Sequence, residues 1–229
     1  MDEEPAASIE FCAEEFDLST LSYSQFLAFF FDRPVVSDNE LYDLFRGGID
    51  FFIASSPAIV VDHLRRMCCD LSNLTKVYSP EQIDQGLWAV FGAGISCEQY
   101  LFDSSVDQKA RIGCIESMYL PFRDVVAKSN IGKTDSFYWM WWDMIFHTNA
   151  LYDRPSSDAK QIVDAIFDTL LKILALDHPA CQWSALHGLG HSGHPQAHDA
   201  VQEYLRLHRH ELSEEDAEWM ERCGEGKII

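Results

Sequence analysis

The run Phe137-Tyr-Trp-Met-Trp-Trp-Asp-Met-Ile-Phe146 is apolar at every position but Asp143. Wound into a helix, it puts large apolar side chains on nearly every side, which a helix wet on one face does not do. A helix over Ser136–Tyr152 therefore has to be the enclosed centre of a larger assembly, or else offer an aromatic surface to a partner. The 229-residue chain has the length for the first. A chain of this size buries roughly 70–75% of its unfolded surface without help from metal or disulfides.

The elements available to enclose it are helical too, because apolar residues elsewhere recur at helical and not alternating spacing. Asp158–Leu176 places Ile162, Ala165, Ile166, Thr169, Leu170, Ile173 and Leu174 on one stripe, with Asp158, Lys160, Asp164, Asp168 and Lys172 off it. Ser37-Asp-Asn-Glu40 has capping-box spacing and opens a helix over Glu40–Ala54, interrupted at Gly47-Gly48. Pro57 suits the first turn of the next helix. Ser79-Pro80-Glu81-Gln82 combines a capping hydroxyl, a first-turn proline and a glutamine three residues after the cap, and Gly92-Ala-Gly94 closes the helix it starts. Further helices are expected over Ala6–Phe16, over Tyr23–Phe31 ahead of Arg33-Pro34, over Val106–Lys128 with a bend near Pro121, and over Ser213–Arg222 with Trp219 as its anchor. The fold class is all-α, a helical bundle or a short α-solenoid of antiparallel helical hairpins. We read a single domain over 1–229, in which Asn130-Ile-Gly-Lys-Thr134 separates possible layers 1–130 and 131–229.

Charge narrows the partners. Acidic residues number 37 against 17 basic, a formal net charge of -20. That field repels phosphate backbones, so nucleic acid is not an expected ligand, and it steers cationic protein surfaces into contact. The seven cysteines are scattered without a CxxC pair and read as small core hydrophobes of a reducing compartment. The start Met1-Asp-Glu-Glu-Pro5 is acidic where a signal peptide is basic, and no stretch approaches 18 apolar residues. A cytoplasmic location with no membrane contact is the expectation.

Toward the C-terminus, Ala185-Leu-x-Gly-Leu-Gly-x-x-Gly-His-Pro-x-Ala-x-x-Ala-Val-x-x-Tyr-Leu205 reads as two helices joined by a small-residue turn. Gly190 and Gly193 permit turn dihedrals, Pro195 presets a first helical turn, and Ala197, Ala200, Val201 and Leu205 supply an inner face. Over His178–Leu207 the pattern resembles the short HEAT-like repeats first noted in phycobilisome lyases, with His194 standing where the family usually has Asp before the proline. The resemblance implies a stacked-hairpin architecture at the C-terminus and a protein-binding scaffold.

Seven of the nine histidines crowd the same region, at 178, 187, 191, 194, 198, 208 and 210. His187 and His191 are four apart, but Gly-Leu-Gly between them leaves no glutamate for the zinc-protease pattern. There is also no nucleophile elbow, Walker-type phosphate loop or dinucleotide fingerprint, and no cofactor is expected. The leading expectation is thus a non-enzymatic acidic module of bacterial type that binds a protein with a basic surface, an immunity- or antitoxin-like inhibitor covering a toxic enzyme. Its candidate contact residues are Asp143, Asp164, Asp168, Glu203 and Tyr204. One alternative is a metal-dependent enzyme or regulator using His187, His191, His194 and His198. Another is a scaffold that self-associates through its aromatic helix.

Overall fold

The computed structural model describes residues 14–92, 94–134, 136–147 and 158–228. The expected helix over Ala6–Phe16 falls outside them up to Ala13, as do Cys12 and the stretch 148–157. Among the described residues the chain is all-α but for one ladder of two short strands.

That ladder corrects two expectations. Glu15–Asp17 is strand β1, not the end of a helix, and it pairs in parallel with β2, Phe51–Ile53, with Phe16 opposite Phe52. Phe16 stacks on Phe29 with ring centres 5.4 Å apart, so the extended segment is held by aromatic packing as well as by the ladder. The helix begun by Ser37 stops at Arg46 and does not reach Ala54. Gly47 takes the left-handed conformation, φ +46°, and closes it. Glycine adopts that conformation at no steric cost, so the pair ends the helix instead of interrupting it.

Helices α1 (Tyr23–Phe31), α2 (Asp38–Arg46), α3 (Pro57–Leu74) and α4 (Pro80–Phe91) follow the start signals of the sequence closely. At α4 the Ser79 hydroxyl accepts from Gln82 N–H at 3.2 Å, while Gln82 Oε1 accepts from Ser79 N–H at 3.1 Å. Two backbone donors that a helix start leaves without partners are thereby satisfied. The expected Val106–Lys128 helix is divided into α5 (Gln108–Ser117), α6 (Tyr119–Asp124) and a 3-10 turn at Val126–Lys128. The break at Met118 lies one turn before Pro121, which has no N–H for Ser117 and whose ring crowds that carbonyl.

The second half holds α7 (Phe137–His147), α8 (Ala159–Leu174), α9 (Pro179–Ser192), α10 (Ala197–His208) and α11 (Glu214–Gly224). In α7, Phe137, Tyr138, Trp141, Trp142, Ile145 and Phe146 are buried, so the helix is largely enclosed, as its composition requires. Trp139 and Asp143, one turn apart, are only partly covered. In α8 the predicted stripe from Ile162 to Ile173 is buried. Ser184 on α9 donates to the Tyr138 carbonyl at 2.7 Å, and Gly188, one turn on, faces Trp142. Contacts that advance together along both chains mean that α7 and α9 run parallel. Those of α8 with α9 and the turn after it, Leu170 with Gly188 and Asp164 with His194, advance in opposite senses.

A helical hairpin does form over α9 and α10, with two differences from its sequence reading. Gly190 lies inside α9, where a Cβ would stand 2.4 Å from Ile228 Cδ1, so it serves close packing and not the turn. The turn falls to Gly193, at φ +58°. Pro195 precedes α10 instead of occupying its first turn, and Ala197 N–H donates to the His194 carbonyl at 2.9 Å across it.

Buried apolar residues from Leu18 to Met220 make one continuous cluster. Cys68, Cys97, Cys114, Cys181 and Cys223 are buried free thiols within the fold, and Cys69 is exposed. Burial pushes Cys68, Cys181 and Cys223 up to about 12 and raises Cys97 and Cys114 well above the usual thiol range.

Two predictions come from these contacts. A Cβ at Gly188 would lie 2.6 Å from Leu170 Cδ2 and 2.8 Å from Trp142 Cβ and Cγ. Gly188→Ala should therefore destabilise the protein by about 1–3 kcal/mol in urea or guanidinium denaturation, the range for overpacked cores. The Ser19 hydroxyl, and then that of Ser55, hold the Asp17 carboxyl down at about 2 from 3.8. A depressed folded pKa contributes stability above the unfolded pKa and loses it as pH falls through the folded value. Stability should fall as pH drops from 3.8 to about 2, and Asp17→Asn should flatten this limb of a denaturation-midpoint profile.

Candidate functional site

The parallel run of α7 and α9 turns two four-residue steps into one site. Positions four apart share a helix face, so Trp139 and Asp143 on α7 stand beside His187 and His191 on α9. His187 is buried at 4% exposure, and its ring lies flat on the Trp139 indole, with centres 4.2 Å apart and planes 5° from parallel. Its Nδ1 is 3.1 Å from the Trp139 carbonyl oxygen. A carbonyl only accepts, so Nδ1 carries the proton and Nε2 is left with its lone pair outward. Burial lowers the His187 pKa below the ordinary histidine value, with the Trp139 bond opposing in part. The imidazole is accordingly neutral near pH 7.

His187 Nε2 is 3.2 Å from His191 Nε2, and His191 Nε2 is 3.1 Å from Asp143 Oδ1. The side chains of His191 and Asp143 are 21% and 17% exposed, so solvent reaches this edge of the cluster. One ligand-type atom from each of the three residues lies within 4.8 Å of the others, and no other set of three or more His, Cys, Asp or Glu among the described residues is grouped so closely. Beside them is a platform of indoles. Trp183 stacks on Trp219 at 4.6 Å with planes 4° apart, and Trp219 is 5.3 Å from Trp139. Lys133 Nζ sits 4.1 Å from the Trp183 ring centre and 3.3 Å from Asp216 Oδ2.

The four histidines singled out by sequence do not converge. His194 turns to α8, with Nε2 3.2 Å from Asp164 Oδ1 and its ring stacked on Phe167 at 3.9 Å. His198 Nδ1 lies 3.1 Å from the Gly224 carbonyl oxygen. The third member of the cluster is Asp143, from a helix more than forty residues upstream of His187. Its one sequence signal is that it is the lone charge in an apolar run.

The five proposed contact residues are spread over three helices. Asp143 belongs to the cluster just described. Asp164 pairs with Lys160 at 2.7 Å, Asp168 is exposed, and Glu203 pairs with Arg206 at 2.6 Å. Tyr204 is buried, its hydroxyl donating to Gln182 Oε1 at 3.1 Å, which corrects its assignment as an exposed aromatic. A cleft of about 790 Å³ opens around the start of α7, between Ile83, Trp88 and Ile131, where the Asp84 carboxylate caps the helix by accepting from Phe137 N–H at 2.7 Å. It does not include Asp143, His187 or His191. The chemistry-bearing groups and this cleft are thus different places, and the cluster is the better site because its groups are oriented toward one another.

The Nδ1–H assignment is directly testable. Long-range ¹H–¹⁵N spectra above neutral pH should show His187 in this less common tautomer; an Nε2–H form would contradict the geometry. Comparison with protein-family models, curated proteins and solved structures finds no match to the chain.

Proposed function

We propose that the protein is an acidic helical binding module that covers a basic surface on another protein, of the kind used by bacterial immunity proteins and antitoxins. The observation that carries this reading is where the charge lies. In a chain of formal net charge -20, Glu98 alone among the described acidic residues is buried, so the described acids carry their charge almost entirely at the surface. It is dense on α11, where Glu214, Glu215, Glu218 and Glu221 are exposed and Arg222 is the single base. Such a field accelerates encounter with a cationic partner and selects against an anionic one.

The order of α7 to α10 supports a scaffold role. α9 packs on α7, which runs parallel to it, and on α8, which runs antiparallel, relations that stacked helical hairpins also contain, in keeping with a HEAT-like reading of the C-terminal pair. Stacked hairpins offer extended surfaces suited to protein partners.

The product of the neighbouring reading frame is the first partner to test, because an inhibitor of this type is encoded beside its target. Calorimetric titration should give an affinity that drops at least tenfold between about 0.05 and 0.5 M salt, as screening removes the long-range attraction. Glu214→Lys combined with Glu218→Lys should slow association more than it speeds dissociation. An affinity indifferent to ionic strength would remove the electrostatic reading.

A further inference from the structure

We infer that Asp143, His187 and His191 form a binding site for a single divalent transition-metal ion of the zinc type. Three observations converge on it, none of which depends on the partner-binding reading above.

The first is spacing. A metal bound at about 2.0–2.1 Å by nitrogen and oxygen holds adjacent donor atoms about 2.9–3.4 Å apart, for octahedral through tetrahedral angles. The separations of 3.2 Å between the histidine Nε2 atoms and 3.1 Å from His191 Nε2 to Asp143 Oδ1 fall in that interval. The third pair, His187 Nε2 and Asp143 Oδ1, is within 4.8 Å, so sharing one ion requires Asp143 to swing toward His187 while the other two spacings are kept.

The second is orientation. Metal-binding histidines donate their other ring N–H to a carbonyl or carboxylate, which fixes the tautomer and aims the lone pair. His187 has this arrangement through the Trp139 carbonyl, and the flat Trp139 indole prevents its ring from turning. The donors also stand on helices held in register by Ser184–Tyr138 and Gly188–Trp142, which keeps the two helix faces that carry them side by side.

The third is the count of protons. The lone pair of His187 Nε2 and the Asp143 carboxylate both face His191 Nε2, so two acceptors are served by at most one N–H at that atom. A cation at the centre satisfies all three donor atoms at once, and the surrounding negative field draws cations in. Two imidazoles and one carboxylate suit a borderline transition metal and not magnesium or calcium, which take oxygen ligands. The partial exposure of His191 and Asp143 leaves room for water to complete the shell.

The competing occupant is a proton on His191 Nε2 shared between its two neighbours, and metal titration separates the two. Full-length protein prepared without a histidine tag and stripped with chelator is titrated with Zn²⁺ by calorimetry and with Co²⁺ by visible absorption. One ion per chain is expected, with Co²⁺ ligand-field bands and partial quenching of the tryptophan emission by Co²⁺. His191→Gln and Asp143→Asn, both at partly exposed positions and checked for native circular dichroism, should each weaken Zn²⁺ binding at least tenfold, and together abolish the Co²⁺ bands. His194→Ala and His198→Ala should leave both readouts unchanged. Failure of the wild-type protein to take up either ion, or equal uptake by the Asp143→Asn/His191→Gln double variant, overturns the proposal.

Discussion

The backbone of α9 rests on the indole of Trp142 at Gly188, and that close approach fixes the relation between the two helices that matter most. Any side chain at 188 would meet Trp142 and Leu170 below 3 Å, so the helices would have to move apart or shift. With the approach kept, the common helical step carries the register one turn back, to Tyr138 with Ser184, and along the adjoining face from Trp139 with His187 to Asp143 with His191. The energetics favour it. Trp141 and Trp142 are fully buried, and rings of roughly 150–250 Å² contribute roughly 4–6 kcal/mol each as an upper bound on transfer free energy. Each indole N–H lacks a hydrogen-bond partner among the described residues, at a cost of about 1–3 kcal/mol. The apolar term wins, and the bundle accepts two dissatisfied donors to keep its centre.

Charge is arranged in the opposite way, outward. Glu98 is the described acid that lies inside, and burial raises its carboxyl well above the usual range, disfavouring the charged form there. The acids of α11 reconcile surface display with local stability. Glu214, Glu215 and Asp216 occupy its first turn, where the free amides and the helix dipole favour negative charge. Exposed pairs such as Arg65–Asp62 and Arg206–Glu203 relieve repulsion locally but, screened by solvent, add little to stability. The surface keeps its sign.

What the sequence made legible was local. Ser79 and Ser37 announce their helices because a hydroxyl and a side chain three residues on satisfy backbone donors without help from the rest of the fold. The amphipathic stripe of α8 was readable for the same reason. The β1–β2 ladder was not, since it pairs segments 36 residues apart and depends on where α1 and α2 set them. The site divides along the same line. His187 and His191 share a face through helix periodicity, whereas Asp143 joins them only through tertiary packing. His194 and His198, near in sequence, are led away by the left-handed turn at Gly193.

The buried thiols have a consequence for how the molecule meets chemical challenge. A cysteine reacts as thiolate, and five side chains spread from α3 to α11 are both covered and held protonated by burial, while Cys69 on α3 is open to solvent. Alkylation or oxidation of the five has to wait for the segment around each to open. Their reaction rates are therefore set by opening equilibria in several parts of the bundle, which makes the native chain a recorder of its own local unfolding.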